Sequence, residues 1–117
     1  MDNHIYITRY LQLGKDILLI SNQMINTVEE IQSAIFSYDY QQLETLNQRI
    51  LAYSKRMEQI DDDRRQVALH LGCSGDNYSK KMREKFSGKA ARLIVLIDDK
   101  VKESIMDCRD KLNQQGG

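Results

Sequence analysis

An apolar side chain recurs at alternating steps of three and four residues through the middle of this chain of 117 residues. One charged residue interrupts the run, which consists of Leu43, Leu46, Ile50, Tyr53, Met57, Ile60, Arg64, Val67 and Leu71. This spacing is typical of a helix that packs along a partner helix, because a single heptad helix would leave the stripe in water. The seam therefore predicts a bundle of long helices.

Two further apolar stripes flank the seam. The first contains Tyr10, Leu13, Ile17, Ile20, Met24, Val28, Ile31 and Ile35, and the second contains Tyr78, Met82, Phe86, Ala90, Ile94, Ile97, Val101, Ile105, Cys108 and Leu112. The chain has no proline and only six glycines, as expected for long helices, since a proline costs a helix interior about 3 kcal/mol. The stripes predict helices over about 5–37, 40–71 and 77–112, with turns near 38–39 and 72–76.

Turns this short make consecutive helices antiparallel. The fold prediction is therefore one all-α domain over residues 1–117, an elongated antiparallel up-down-up three-helix bundle with coiled-coil packing. The strict period of the middle helix predicts that it is the internal spine, covered by both neighbours. Ser87-Gly88 predicts a kink or short break in the third helix, because glycine weakens a helix interior.

Local signals mark both turns. Asp39 followed by Gln42 has the spacing of a capping box at the start of the second helix. Gly72 predicts the end of that helix, because glycine adopts the left-handed conformation that follows many helices.

The charges balance, with 17 Lys and Arg residues against 17 Asp and Glu residues. A neutral chain has no long-range field that would attract nucleic acid or an anionic membrane. Two local clusters flank the second turn: acidic Glu58, Asp61, Asp62 and Asp63, and basic Lys80, Lys81, Arg83, Lys85 and Lys89. They predict an interhelical salt-bridge ladder, with a phosphate or RNA patch as the alternative.

Arg64 is the charged residue in the seam, and two roles are open for it. In the first, its side chain extends to solvent and pairs with Glu58, Asp61 or a carboxylate on a neighbouring helix. In the second, it specifies helix register, as buried polar residues do in some coiled coils.

The sequence predicts no enzyme, no cofactor and no metal site. It contains no Glu-x-x-His pair and no glycine-rich phosphate loop, and its two histidines, His4 and His70, are far apart. Cys73 follows His70 without a second ligand pair, and Cys108 lies on the third stripe and is predicted to be a small core residue. No run is apolar enough to insert into a membrane, and the expected location is cytoplasmic.

Four apolar residues lie off the stripes: Leu18, Leu19, Val95 and Leu96. Because the first and third helices run parallel, these residues are predicted to form an external groove that binds a fourth amphipathic helix. The alternatives are a homodimer interface and scattered surface apolar residues.

Three connected segments, 38–46, 47–57 and 60–72, together resemble the FlgN-type flagellar export chaperones. In that family a short acidic turn enters a heptad helix that ends with paired arginines and a Leu-Gly, here Arg64-Arg65 and Leu71-Gly72. Residues 108–116 are similar to a stretch of the family that contains a cysteine or leucine, an asparagine and a glycine. The resemblance covers residues 10–116.

The resemblance implies a cytosolic chaperone of flagellar or related type III secretion. Such a protein binds C-terminal amphipathic helices of hook–filament junction proteins and delivers them to the export machinery. Family members usually continue beyond this stretch in the part that binds clients, whereas the sequence ends at Gly117. A further helix would cover Leu18, Leu19, Val95 and Leu96.

Three other functions remain open: a FliT-type chaperone, a coiled-coil adaptor or self-assembling structural protein, and a nucleic-acid regulator that uses residues 80–92.

Overall fold

A computed structural model describes residues 3–116, and side chains over residues 3–113. The chain forms an all-α elongated bundle measuring 56 × 20 × 19 Å. Its helices are α1 (Asn3–Phe36), α2 (Tyr40–His70), α3 (Tyr78–Lys85) and α4 (Gly88–Gly116). The all-α bundle is confirmed, and the predicted third helix is two helices that are separated at the predicted break, Ser87-Gly88.

Both ends of the first turn are fixed by hydrogen bonds. The Asp39 amide donates to the Ala34 carbonyl at 3.0 Å, and Tyr38 takes the left-handed conformation with φ 55°. This is a Schellman ending with tyrosine at the position that glycine usually occupies. Asp39 then caps α2 by accepting the Gln42 amide at 3.1 Å, which confirms the predicted cap.

The end of α2 also follows the sequence prediction. Gly72 has φ 81°, and the amide of Cys73 donates to the Ala68 carbonyl at 2.8 Å. A second bond joins the Gly72 amide to the Leu69 carbonyl at 2.9 Å. These two bonds form a Schellman motif that satisfies carbonyls at the helix end.

Helix α1, and not α2, is central to the bundle. Helix α2 runs antiparallel to α1, as the pairs Arg49–Glu30 and Arg64–Tyr10 show, and α4 runs parallel to α1. Both α2 and α4 pack on α1, but over their described ranges none of their Cα atoms lie within 8 Å of each other.

The predicted role of α2 as internal spine is therefore wrong. Helix α1 buries two adjoining faces, because small or weakly polar residues beside its stripe, Gly14, Ser21 and Thr27, allow a second helix to approach. Helix α2 buries only Leu46, Ile60, Arg64 and Ala68 within its length.

The break after α3 changes the topology at one end of the bundle. Phe86 is extended, with φ −104° and ψ 159°, and Gly88 has φ 69°, so the helix cannot continue. Segment 73–77 runs back along α2, since Arg65 pairs with Asp76 at 2.9 Å. Helix α3 then packs against both α2 and α4 and fills the space between them at this end.

The predicted salt-bridge ladder between Glu58, Asp61, Asp62 and Asp63 and the basic cluster is wrong. Helix α3 begins beside Asp61, which accepts from the Tyr78 hydroxyl, but its cations have other partners: Arg83 pairs with Asp99, and Lys85 donates to the Leu71 carbonyl.

Most of the predicted core is confirmed. The stripe of α1 is buried from Tyr10 to Ile31, although Ile35 is exposed and Ala34 is buried instead. Cys108 is also buried, and its thiol donates to the Ser21 carbonyl at 3.2 Å. Burial raises the pKa of this thiol.

Candidate functional site

A groove of about 900 Å³ lies between α2 and α4. It exists because these helices both pack on α1 without packing closely on each other. Helix α1 forms the floor, α2 and α4 form the walls, and the start of α3 closes one end. The space therefore has the position that a fourth helix would take in a four-helix bundle.

The open part of the groove is apolar at its base. Ile17 on the floor, Met57 on one wall and Ile105 on the other are each seven residues from the contact of Tyr10, Arg64 and Asp98. At 1.5 Å per residue these three side chains lie at one level, about 10 Å along the bundle from that contact. Val101 and Met106 extend the apolar surface on α4.

The α4 wall has a regular rim. Lys102, Met106 and Arg109 follow each other at steps of four and three residues, so they lie in one row along the helix. The Met106 side chain is exposed over 53% of its surface. The row thus presents an apolar side chain between two cations.

Arg64 lies at the closed end of the groove and is only 2% exposed. Its Nε donates to the Tyr10 carbonyl at 3.1 Å, and its guanidinium lies 3.8 Å from the centre of the Tyr10 ring. Nη2 is 2.7 Å from Oδ1 of Asp98, but the geometry is that of an ion pair and not of a hydrogen bond, since Nη2 has no hydrogen-bond partner among the described residues.

Asp98 links α4 to α1 and α3. It accepts hydrogen bonds from the Tyr10 hydroxyl at 2.9 Å and from the Ser79 hydroxyl at 2.7 Å. Tyr10, Arg64, Ser79 and Asp98 therefore form a buried polar cluster to which each of the four helices contributes one residue. Burial of both charges is costly unless they are paired and hydrogen-bonded, and the cluster supplies these partners except at Nη2 of Arg64, which has the ion pair but no hydrogen bond to a described residue.

The tyrosines of this region remain protonated well above neutral pH. Burial, together with the neighbouring Asp98, raises the pKa of Tyr10 far above its usual range, although Arg64 opposes part of this effect. Burial and a hydrogen bond to Asp61 at 2.8 Å raise the pKa of Tyr78 to about 12. Both hydroxyls thus act as fixed hydrogen-bond donors to carboxylates.

Arg64 takes one of the partners predicted from the sequence, a carboxylate on a neighbouring helix. The predicted extension to solvent is wrong, because the side chain is buried with its guanidinium against the Tyr10 ring and Asp98. Asp98 was not identified from the sequence. A signal was available: Asp98 lies between Ile94 and Val101 on the apolar stripe, as Arg64 lies on the stripe of α2.

The four residues predicted to bind a partner do not line the groove. Leu19 and Leu96 are exposed over 60% and 49% of their surfaces, while Leu18 and Val95 are half-buried. Leu18 packs against the core cluster in the middle of the bundle. Binding at this outer face stays a prediction.

Over residues 3–116, no group of three or more His, Cys, Asp and Glu residues is placed to hold a metal ion. None of the helices in this described range is long and apolar enough to cross a membrane.

Comparison of the chain with protein-family models, curated protein sequences and solved structures finds no match. The groove between α2 and α4 is therefore interpreted from its own geometry.

Proposed function

We propose that this protein is a substrate chaperone of flagellar-type protein export and that it binds the amphipathic C-terminal helix of a hook–filament junction protein. The observation that carries the proposal is the open groove of about 900 Å³ between α2 and α4, two helices that both pack on α1 and over their described lengths have no Cα atoms within 8 Å of each other. The resemblance of segments 38–72 and 108–116 to FlgN-type chaperones supports the choice of client.

Binding would follow the helix-in-groove mode. Apolar side chains of the client helix contact Met57, Ile105 and Met106 above the buried Ile17 of the floor, while its polar side remains in solvent. A client whose assembly helix is covered in this way cannot polymerise in the cytoplasm. The export machinery then removes the client from the groove.

Peptide binding tests the proposal and separates two candidate surfaces. We expect a labelled C-terminal helix of a hook–filament junction protein to bind the wild-type chain in fluorescence anisotropy. Met106→Asp in the groove should weaken binding about tenfold or more, because it places a charge on the apolar contact surface. Leu19→Asp is the matched control, since Leu19 is equally exposed but lies outside the groove.

The opposite pattern, with weakening only by Leu19→Asp, would move the site to the outer face of Leu18, Leu19, Val95 and Leu96. No binding of any junction-protein helix to the wild-type chain would contradict the proposed function.

A second candidate function is that of a coiled-coil adaptor or self-assembling structural protein. It is favoured by exposed apolar and aromatic side chains at the tip formed by the first turn: Ile35, Phe36, Tyr38 and Tyr40. Such a tip is suited to end-to-end contacts between copies. Sedimentation distinguishes the candidates, because the chaperone gives a small discrete species and one-to-one client binding, whereas a structural protein gives assemblies that grow with concentration.

A further inference from the structure

The charges left without a partner at the groove are mostly positive. Lys80, Lys102 and Arg109 line it and form no ion pair with any described residue, and Glu58 is the corresponding unpaired acid. The other charged lining residues form ion pairs or hydrogen bonds within the protein. Among the described residues the lining contains five acidic and five basic residues, so the positive character that a helix in the groove meets comes from the charges without an internal partner, three cations against one acid.

We infer that the occupant of the groove is an acidic amphipathic helix. Its two acidic residues, seven positions apart, flank an apolar residue and match the row of Lys102, Met106 and Arg109. This inference rests on the proposed use of the groove for helix binding, and it specifies the chemistry of the partner. From Asp98 to Arg109 the groove is about 16 Å long, which corresponds to about three turns of the partner helix.

Helix α3 shows how the same channel binds a helix at its closed end. It places Tyr78 and Met82 in the core cluster beside Ala68 and Ile94, so its apolar side faces the space between α2 and α4. One of its cations matches an acidic residue there, since Arg83 pairs with Asp99.

Beyond this point the charge of the α4 wall changes from negative, at Asp98 and Asp99, to positive, at Lys102 and Arg109. A basic helix such as α3, with Lys80, Lys81, Arg83 and Lys85, suits the closed end but is repelled by the open end. A second copy of α3 is consequently a poor occupant of the open groove, and an acidic helix is a good one.

Three synthetic helices with one apolar stripe test the inference, each about 18 residues long. Their flanking positions carry glutamate, glutamine or lysine, and their affinities are measured by fluorescence anisotropy at low and high salt. We expect the acidic peptide to bind about tenfold more tightly than the basic one, with a preference that falls as salt rises. Lys102→Glu/Arg109→Glu should reverse the order.

Lys89→Glu/Lys100→Glu is the control, because it changes the net charge equally at exposed residues of α4 that do not line the groove. An unchanged order in Lys102→Glu/Arg109→Glu, or an equal change in the control, would overturn the inference.

The remaining outcomes separate this inference from the proposed function. Equal binding of all three peptides, weakened by Met106→Asp, would contradict the acidic partner and leave the groove as a helix-binding site. Binding of the acidic peptide without binding of any junction-protein helix would support the inference and contradict the flagellar client. A wild-type dimer that Met106→Asp converts to a monomer would assign the groove to a second copy of the chain and overturn the inference.

Discussion

Arg64 and Asp98 are charged residues in a protein that has few buried polar groups. Each is at most 5% exposed, and removal of one leaves the other without its counter-ion. Breaking a buried pair in this way typically costs 3–5 kcal/mol, whereas replacing both charges is often neutral. The pair therefore makes a small contribution to net stability but strongly penalises arrangements in which α2 and α4 are displaced.

Arg64→Leu should lower the free energy of unfolding by about 3–5 kcal/mol, measured by urea denaturation, because Asp98 would be left buried without its counter-ion. Arg64→Leu/Asp98→Asn should recover most of this loss, since the amide oxygen still accepts from Tyr10 and Ser79. Arg65→Leu, at the adjacent exposed position, should leave the free energy of unfolding nearly unchanged, because surface ion pairs contribute little.

The oligomeric state of the same Arg64→Leu variant addresses the register role. A changed state would assign that role to Arg64, and an unchanged state with an equal or higher melting temperature would exclude it.

At the scale of helices, Gly14 permits the close approach of α1, α2 and α4. A Cβ atom at this position would lie 2.5 Å from Cγ2 of Ile97 and 2.6 Å from Nη2 of Arg64. Neither neighbour moves freely, since Ile97 has a stiff branched side chain and Arg64 is held by Tyr10 and Asp98. The glycine thus serves packing within a helix that would otherwise favour alanine.

Gly14→Ala should destabilise the protein by about 1–3 kcal/mol in thermal or urea denaturation, because overpacking outweighs the better helix propensity of alanine. Asn22→Ala on the exposed side of α1 tests propensity without the clash and should be neutral or slightly stabilising. A stabilised Gly14→Ala variant would show that the three helices separate easily at this level.

The helices themselves were largely predictable, because apolar period and capping are local properties. Asp39 and Gly72 marked the ends of α2 correctly, and the stripe from Tyr10 to Ile31 is buried. The central position of α1 was not predictable from the period, since it depends on small residues that allow a second helix to approach.

The groove was missed for a related reason. Met57 and Ile105 lie on stripes and were predicted to be core residues, but whether two stripes meet depends on tertiary packing. Here α2 and α4 both pack on α1 and not on each other, and α3 lies between them at one end.

For the whole molecule, alkaline pH is expected to weaken the fold. The pKa of Tyr78 is raised to about 12 by burial and by Asp61, against an ordinary value of 10.0. Below pH 10 the phenol is protonated in both folded and unfolded chains, so its contribution is fully present. Between about pH 10 and 12 the unfolded chain loses the proton first, and stability falls.

Urea denaturation across pH 8–12 should show this loss, with a gentler slope for Tyr78→Phe because its titrating phenol is absent. Tyr40→Phe, at an exposed position, should retain the wild-type slope. Identical slopes for all three proteins would contradict the assignment to Tyr78.

The two groove walls rest on one shared helix and are fastened together only at the Arg64–Asp98 end. The two walls are therefore joined at the end beside α3 and are separate from each other at the opposite end. Along the open part, over the described residues, no Cα atom of α2 lies within 8 Å of one of α4. A partner that enters there therefore displaces no close backbone contact between these two helices, while side chains of all three long helices stay packed around Leu13 and Ile60.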